Sequence, residues 1–106
     1  TTLDYIEQKY RTATLTELCD MLHLPMHVLS KMIKKTTCFN FKELLQRKRL
    51  SKAVELMCDT DLPISDIIAA VGYENNSYFH RVFKERYGVT PRAFRVANQK
   101  NDKVRL

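Results

Sequence analysis

PISDIIAAVGYENNSYFHRVFKERYGVTPRAFR, residues 63–95, decides how the chain folds. Ile64, Ile67, Ile68 and Val71 recur at i, i+3, i+4 and i+7, the apolar stripe of a short helix. Gly72 follows where the chain must turn, and glycine alone takes a positive φ at little cost. Asn75 can cap the next helix through its side-chain oxygen. Phe79, Val82, Phe83 and Tyr87 give that helix a buried face, and Asn76, Ser77, His80, Arg81 and Lys84 lie on the other side. Gly88 ends it, and Thr90-Pro91, a cap followed by proline at the first helical position, starts one more helix. The segment therefore predicts a helix, a tight turn and a second helix that offers polar and cationic side chains outward.

Working outward, the same pattern recurs upstream. Leu29-Ser30-Lys31-Met32-Ile33-Lys34 lies over Phe79-His80-Arg81-Val82-Phe83-Lys84, at an offset of 50. Leu18 and Leu22 lie over Ile67 and Val71 at an offset of 49, so the second turn holds one extra residue. Before the first copy, Leu3, Ile6 and Tyr10 predict a short amphipathic helix. Thr14 to Glu17 (T-L-T-E) has the form of a capping box for a helix carrying Leu15, Leu18 and Leu22. Leu24-Pro25 breaks that helix, and the next is expected to turn Leu29, Met32 and Ile33 inward. Asn40 is placed to cap a long helix from Phe41 to Met57, with Leu44, Leu45, Ala53, Leu56 and Met57 on one side. The tail after Ala97 is polar and expected to fray.

The stretch Ile64, Asp66, Ile67, Val71, Gly72, Tyr73, Ser77, Tyr78, Phe79, Arg81, Phe83, Lys84, Gly88, Thr90, Pro91 and Arg95 closely resembles the second helix-turn-helix of the AraC/XylS family of bacterial transcription regulators. The resemblance extends more weakly back to about Thr14. It implies an all-α fold of about seven helices: a first helix-turn-helix subdomain at 1–39, a linking helix at 40–58 and a second subdomain at 59–106. Ile68 stands where the family usually has a small alanine, a change expected to shift the packing of helix against helix. The first copy departs further. His23 replaces the turn glycine, Pro25 the usual cap serine, and Cys38 the glycine after the second helix.

Composition sets the bounds. At 106 residues the chain is one compact unit or two small subdomains. Its net charge is +6, with a sequence pI of about 9.4. The charge is uneven: four acids against two bases through Ser30, then sixteen bases against eight acids. That balance fits a polyanionic partner. Three cysteines without a disulfide-framework spacing fit a reducing cytoplasm. No apolar run is long enough to span a membrane and no signal peptide opens the chain. The chain starts at Thr1, so a sensor or dimerisation domain is expected to precede it in the whole protein.

The residues that could carry function are surface groups. Side chains near the N-terminus of a helix lying in the major groove reach base edges. In the second unit these are Asn76, Ser77, His80 and Arg81. From the residues alone, a solvated helix face is the favoured explanation. The family resemblance favours base readout, and with the repeat it points to His27, Ser30 and Lys31 in the first unit. Lys34, Lys35, Lys42, Lys84, Arg86 and Arg92 are candidates for phosphate contact, which fixes register without carrying sequence information. Arg49 falls near the core side of the linking helix, where a structural ion pair is expected. Cys19, His23 and His27 share an i, i+4, i+8 spacing, but Leu24-Pro25 interrupts it and no metal or other cofactor is expected. His80 has no Asp, Ser or Cys partner at a convincing spacing, so nothing points to an enzyme. The resemblance implies sequence-specific binding of double-stranded promoter or operator DNA, with two recognition helices in successive major-groove segments. The linking helix, about 25 Å long at 1.5 Å per residue, is stiff enough to set their spacing. The alternatives are a basic helical protein-interaction module and a non-specific nucleic-acid binder.

Overall fold

The computed structural model describes residues 1–98. Seven helices follow one another: α1 (Thr2–Lys9), α2 (Leu15–Leu22), α3 (Met26–Thr37), α4 (Phe41–Asp59), α5 (Ile64–Ala70), α6 (Asn76–Tyr87) and α7 (Pro91–Asn98). No strand occurs among the described residues, so the architecture is all-α, as expected. The expectation of a frayed tail concerns residues past 98, outside the described part. The linking helix runs two residues beyond Met57, to Asp59. The chain divides into two compact units, with the boundary inside α4 between Arg49 and Leu50.

The first unit packs α1, α2, α3 and the start of α4 around Tyr5, Ile6, Leu18, Cys19, Leu29, Ile33 and Phe41. Leu15, Leu24, Leu44 and Leu45 lean on that cluster. Thr14 caps α2 by accepting the Glu17 N–H at 3.1 Å, but the reciprocal half of the expected capping box does not form. The Glu17 carboxylate instead accepts the Tyr5 hydroxyl proton, and the Tyr5 oxygen accepts the Thr14 N–H at 3.0 Å. A side chain from α1 thus replaces the local partner. Burial first, and then the bond to Glu17, raise the Tyr5 hydroxyl above the ordinary tyrosine pKa. Arg49 is structural as expected, and it bonds main-chain carbonyls. Its Nε donates to the Tyr10 carbonyl at 2.6 Å and its Nη2 to the Arg11 carbonyl at 3.3 Å.

One inward assignment needs correction, that of Met32, and Leu22 of the preceding helix shares its exposure. Met32 is 51% exposed and Leu22 41%. Together with Leu3 they line an open groove of about 430 Å³ floored by Leu29 and Ile33. Helical period places these residues on the apolar side, but among the described residues no element packs over them at that edge.

The second unit is built on the latter half of α4, where Leu50, Ala53 and Met57 are buried. Ile67, Ile68 and Val71 of the α5 region and Phe79, Val82 and Phe83 of α6 are also buried. Aromatic rings continue the core: Phe79 lies 5.7 Å from Phe83, and Phe83 meets Phe94 of α7 edge-on at 5.6 Å. Truncating a buried phenylalanine of this kind costs about 3–5 kcal/mol, so this face holds α6 in place. Arg95 of α7 closes the unit. It donates from Nε to the Met57 carbonyl at 3.1 Å, from Nη2 to Thr60 at 2.8 Å and from Nη1 to Leu62 at 2.5 Å. Those carbonyls lie at and just past the end of α4, where helix geometry leaves them without intrahelical donors.

Positive φ marks the repeat in the backbone. Gly72 has φ 105° and Gly88 φ 82°, while the aligned His23 has φ 58° and Cys38 φ 70°. The first unit therefore keeps the left-handed turns without keeping the glycines.

Candidate nucleic-acid interface

Helix α6 fixes its outward face by burying the opposite one. With Phe79, Val82 and Phe83 turned into the core, Asn76, Ser77, His80, Arg81 and Lys84 are all exposed. Asn75 starts the helix as expected, its Oδ1 accepting the Tyr78 N–H at 2.9 Å. Gly88 closes it, donating its N–H to the Lys84 carbonyl at 2.8 Å. Four candidate readers thus occupy the first two turns, and Lys84 and Arg86 the last.

Two of these side chains are pre-positioned. His80 Nδ1 lies 2.7 Å from the Asn76 carbonyl oxygen. A carbonyl only accepts, so Nδ1 carries the proton, and in the neutral ring Nε2 is the outward acceptor. The Arg81 guanidinium meets two neighbours: it sits 5.1 Å from the Tyr78 ring centre, and its Nη1 is 3.6 Å from Glu85 Oε2. The sequence suggests the pairing with Glu85 at i+4 as an alternative to base contact by Arg81, whereas the contact with Tyr78 was not singled out. Its signal was present, since Tyr78 stands three residues before Arg81.

In the first unit, α3 presents His27 and Lys31 exposed, with Ser30 half-buried. Lys34 and Lys35 are exposed in its last turn. Pro25 precedes the helix without a side-chain cap, in contrast to Asn75. Lys42 is the second residue of α4 and Arg92 the second of α7, and both are exposed. Each follows a capping side chain: Asn40 Oδ1 accepts the Glu43 N–H at 2.8 Å, and Thr90 Oγ1 accepts the Ala93 N–H at 3.2 Å. Of the Cys19, His23, His27 set, Cys19 is buried while both histidines are exposed. Among the described residues no group of three or more His, Cys, Asp or Glu side chains could hold a metal ion, and no helix is long and apolar enough to cross a membrane.

These features define a tandem helix-turn-helix domain, each unit presenting the exposed face of its second helix. The profile of a family described as "Helix-turn-helix domain" matches residues 18–97, and the chain belongs to that family, of AraC/XylS type. Regulatory protein PocR of Salmonella typhimurium is 33% identical over 87 residues, covering 82% of this chain and 29% of that protein. The HTH-type transcriptional activator FapR of Escherichia coli is 32% identical over 87 residues, covering 82% of this chain and 33% of its own length. The chain therefore spans about a third of the curated relatives it matches. Among solved structures, the C-terminal domain of AraT, a response regulator from Geobacillus stearothermophilus, superposes with a TM-score of 0.90 at 32% identity, covering 98% of this chain and 88% of that one. The C-terminal domain of the two-component response regulator yesN from Fusobacterium nucleatum gives 0.83 at 35% identity, covering 89% and 93%.

Proposed function

We propose that this chain is the sequence-specific double-stranded-DNA-binding domain of a bacterial transcription regulator. In the whole protein it works in the cytoplasm beside a sensor or dimerisation domain. The observation that carries the reading is the repeated layout of α3 and α6. Each buries one face in its own unit, offers polar side chains from its first turns and ends in exposed cations. Asn76, Ser77, His80 and Arg81 read bases from α6, and His27, Ser30 and Lys31 from α3. Asn pairs with adenine and Arg with guanine through two hydrogen bonds, each pair giving about 1–3 kcal/mol of discrimination.

Lys34, Lys35, Lys42, Lys84, Arg86 and Arg92 contact phosphates. Lys42 and Arg92 support this in a specific way. A cation in the first turn of a helix opposes the helix dipole and costs a few tenths of a kcal/mol. Both units nevertheless place one there, behind a capping residue, where a phosphate would meet the cation and the first backbone N–H groups together.

The test begins with selection of bound sequences from a random DNA pool. The selected site then competes with bulk DNA at about 0.15 M salt, since affinity depends steeply on salt. A preference of about a thousandfold or more is expected. Equal competition by bulk DNA would overturn sequence-specific binding in favour of non-specific binding. Footprinting addresses the two helices separately: protection should cover two major-groove segments about 34 Å apart along the duplex. Protection of a single segment would mean that the first unit does not engage.

A further inference from the structure

We propose that Glu85 and Tyr78 are positioning residues that hold Arg81 in the orientation needed to read a guanine, and that they contribute to sequence discrimination although neither touches a base. The proposal rests on the base-reading role given to Arg81 above.

Helix stability does not account for the arrangement. Arg81 and Glu85 are 62% and 64% exposed, and exposed ion pairs contribute little to folding. Their order is also unfavourable, because an acid stabilises a helix best when it precedes the base by four residues. Here the base comes first. The first unit has no counterpart: Lys35 aligns with Glu85 and Lys31 with Arg81, so two cations stand where the second unit has an ion pair.

The geometry fits orientation. Glu85 takes the Nη1 side of the guanidinium, and Tyr78 lies under the group from the preceding turn. The remaining donors, on Nη2 and Nε, form the edge that would face guanine O6 and N7. An arginine held in this way loses less conformational freedom on meeting its base, and that saving applies only where the base is present. Against phosphate alone, any arginine orientation serves. The Glu85 charge itself repels all DNA alike, so its removal should tighten cognate and non-cognate binding by similar factors and cancel from their ratio.

The experiment measures the ratio of cognate to scrambled-site affinity at one salt concentration for the wild type, Glu85→Gln, Tyr78→Leu, Arg81→Ala, and Glu85→Gln combined with Arg81→Ala. Circular dichroism checks that each variant is folded. Glu85→Gln should bind scrambled DNA more tightly yet lower the ratio about two- to tenfold, and Tyr78→Leu should lower it without the charge effect. In the Arg81→Ala background, Glu85→Gln should leave the ratio unchanged. A full ratio in Glu85→Gln, alongside a reduced one in Arg81→Ala, overturns the positioning role while leaving the DNA reading intact. A full ratio in Arg81→Ala overturns the base-reading role and the proposal together. A fall in the ratio on adding Glu85→Gln to Arg81→Ala would show that Glu85 acts independently of the arginine, and would also overturn it. Should Tyr78→Leu unfold, the Glu85 comparison decides alone.

Discussion

Exchanging the residues at the ends of the two recognition helices should shift stability in opposite directions. Cys38 closes α3 at φ 70°, ψ 4°, and Gly88 closes α6 at φ 82°, ψ −6°. The two backbones have nearly the same left-handed shape, yet one carries a side chain. A Cβ in that region costs about 1–2 kcal/mol, offset by about 0.5–1 kcal/mol because glycine loses more freedom on folding. Cys38 is exposed, so its side chain loses little packing when removed. Cys38→Gly should therefore stabilise the first unit by about 0.5–1 kcal/mol. A Cβ built on Gly88 meets nothing within 4 Å, so Gly88→Ala isolates the backbone term and should destabilise the second unit by a similar amount. Thermal unfolding followed by circular dichroism in reductant should show shifts of about 2–8 °C, upward for Cys38→Gly and downward for Gly88→Ala. A lower midpoint for Cys38→Gly, or an unmoved one for Gly88→Ala, would refute the strain argument.

Arg95→Ala removes three charge-assisted bonds to carbonyls at the end of α4 and should cost about 2–4 kcal/mol, read from urea midpoints; a loss under about 0.5 kcal/mol would mean that water replaces the clamp fully. Tyr5→Phe should destabilise by about 1–2 kcal/mol at neutral pH. The Tyr5 pKa is raised in the folded state, so its contribution is intact below about pH 10, where unfolded tyrosine ionises, and is lost as pH rises through the raised value. Urea midpoints at pH 9 and 11 should therefore diverge more for the wild type than for Tyr5→Phe, and equal alkaline losses would remove the hydroxyl from the explanation. For binding, six to eight cations on phosphates give a slope of log K against log salt of roughly −5 to −7, and a slope shallower than about −2 contradicts a surface of this extent.

Local signals carried the fold. Apolar period located the helices, and Asn75, Asn40, Thr90 and Gly88 marked ends that the structure places within a residue or two. Period also set the outward face of α6, because burying Phe79 and Phe83 leaves the candidate readers only one side. It failed at the edge of that same signal, for Met32, since a stripe does not reveal how far its neighbour extends. The Arg95 clamp, reaching back 33 to 38 residues, was invisible for a different reason. Its partners are main-chain carbonyls, which every residue possesses, so no residue type at any spacing announces it. The Tyr5 link to Thr14 and Glu17 was hidden behind a capping box that looked locally complete.

That displaced box bears on the order in which the chain acquires structure. At the start of α4, Asn40 and Glu43 exchange two backbone N–H bonds of 2.8 Å across three residues. Nothing beyond one turn is required, so the turn can form in an otherwise unfolded chain. At the start of α2, the second partner is Tyr5, nine residues from Thr14 and twelve from Glu17. Closing that loop requires α1 to have docked, with its entropic cost already met. The start of α4 can therefore form early, whereas α2 is completed by a tertiary event. A peptide of residues 40–59 should show measurable helix, while one of residues 14–24 should show little until α1 is joined to it.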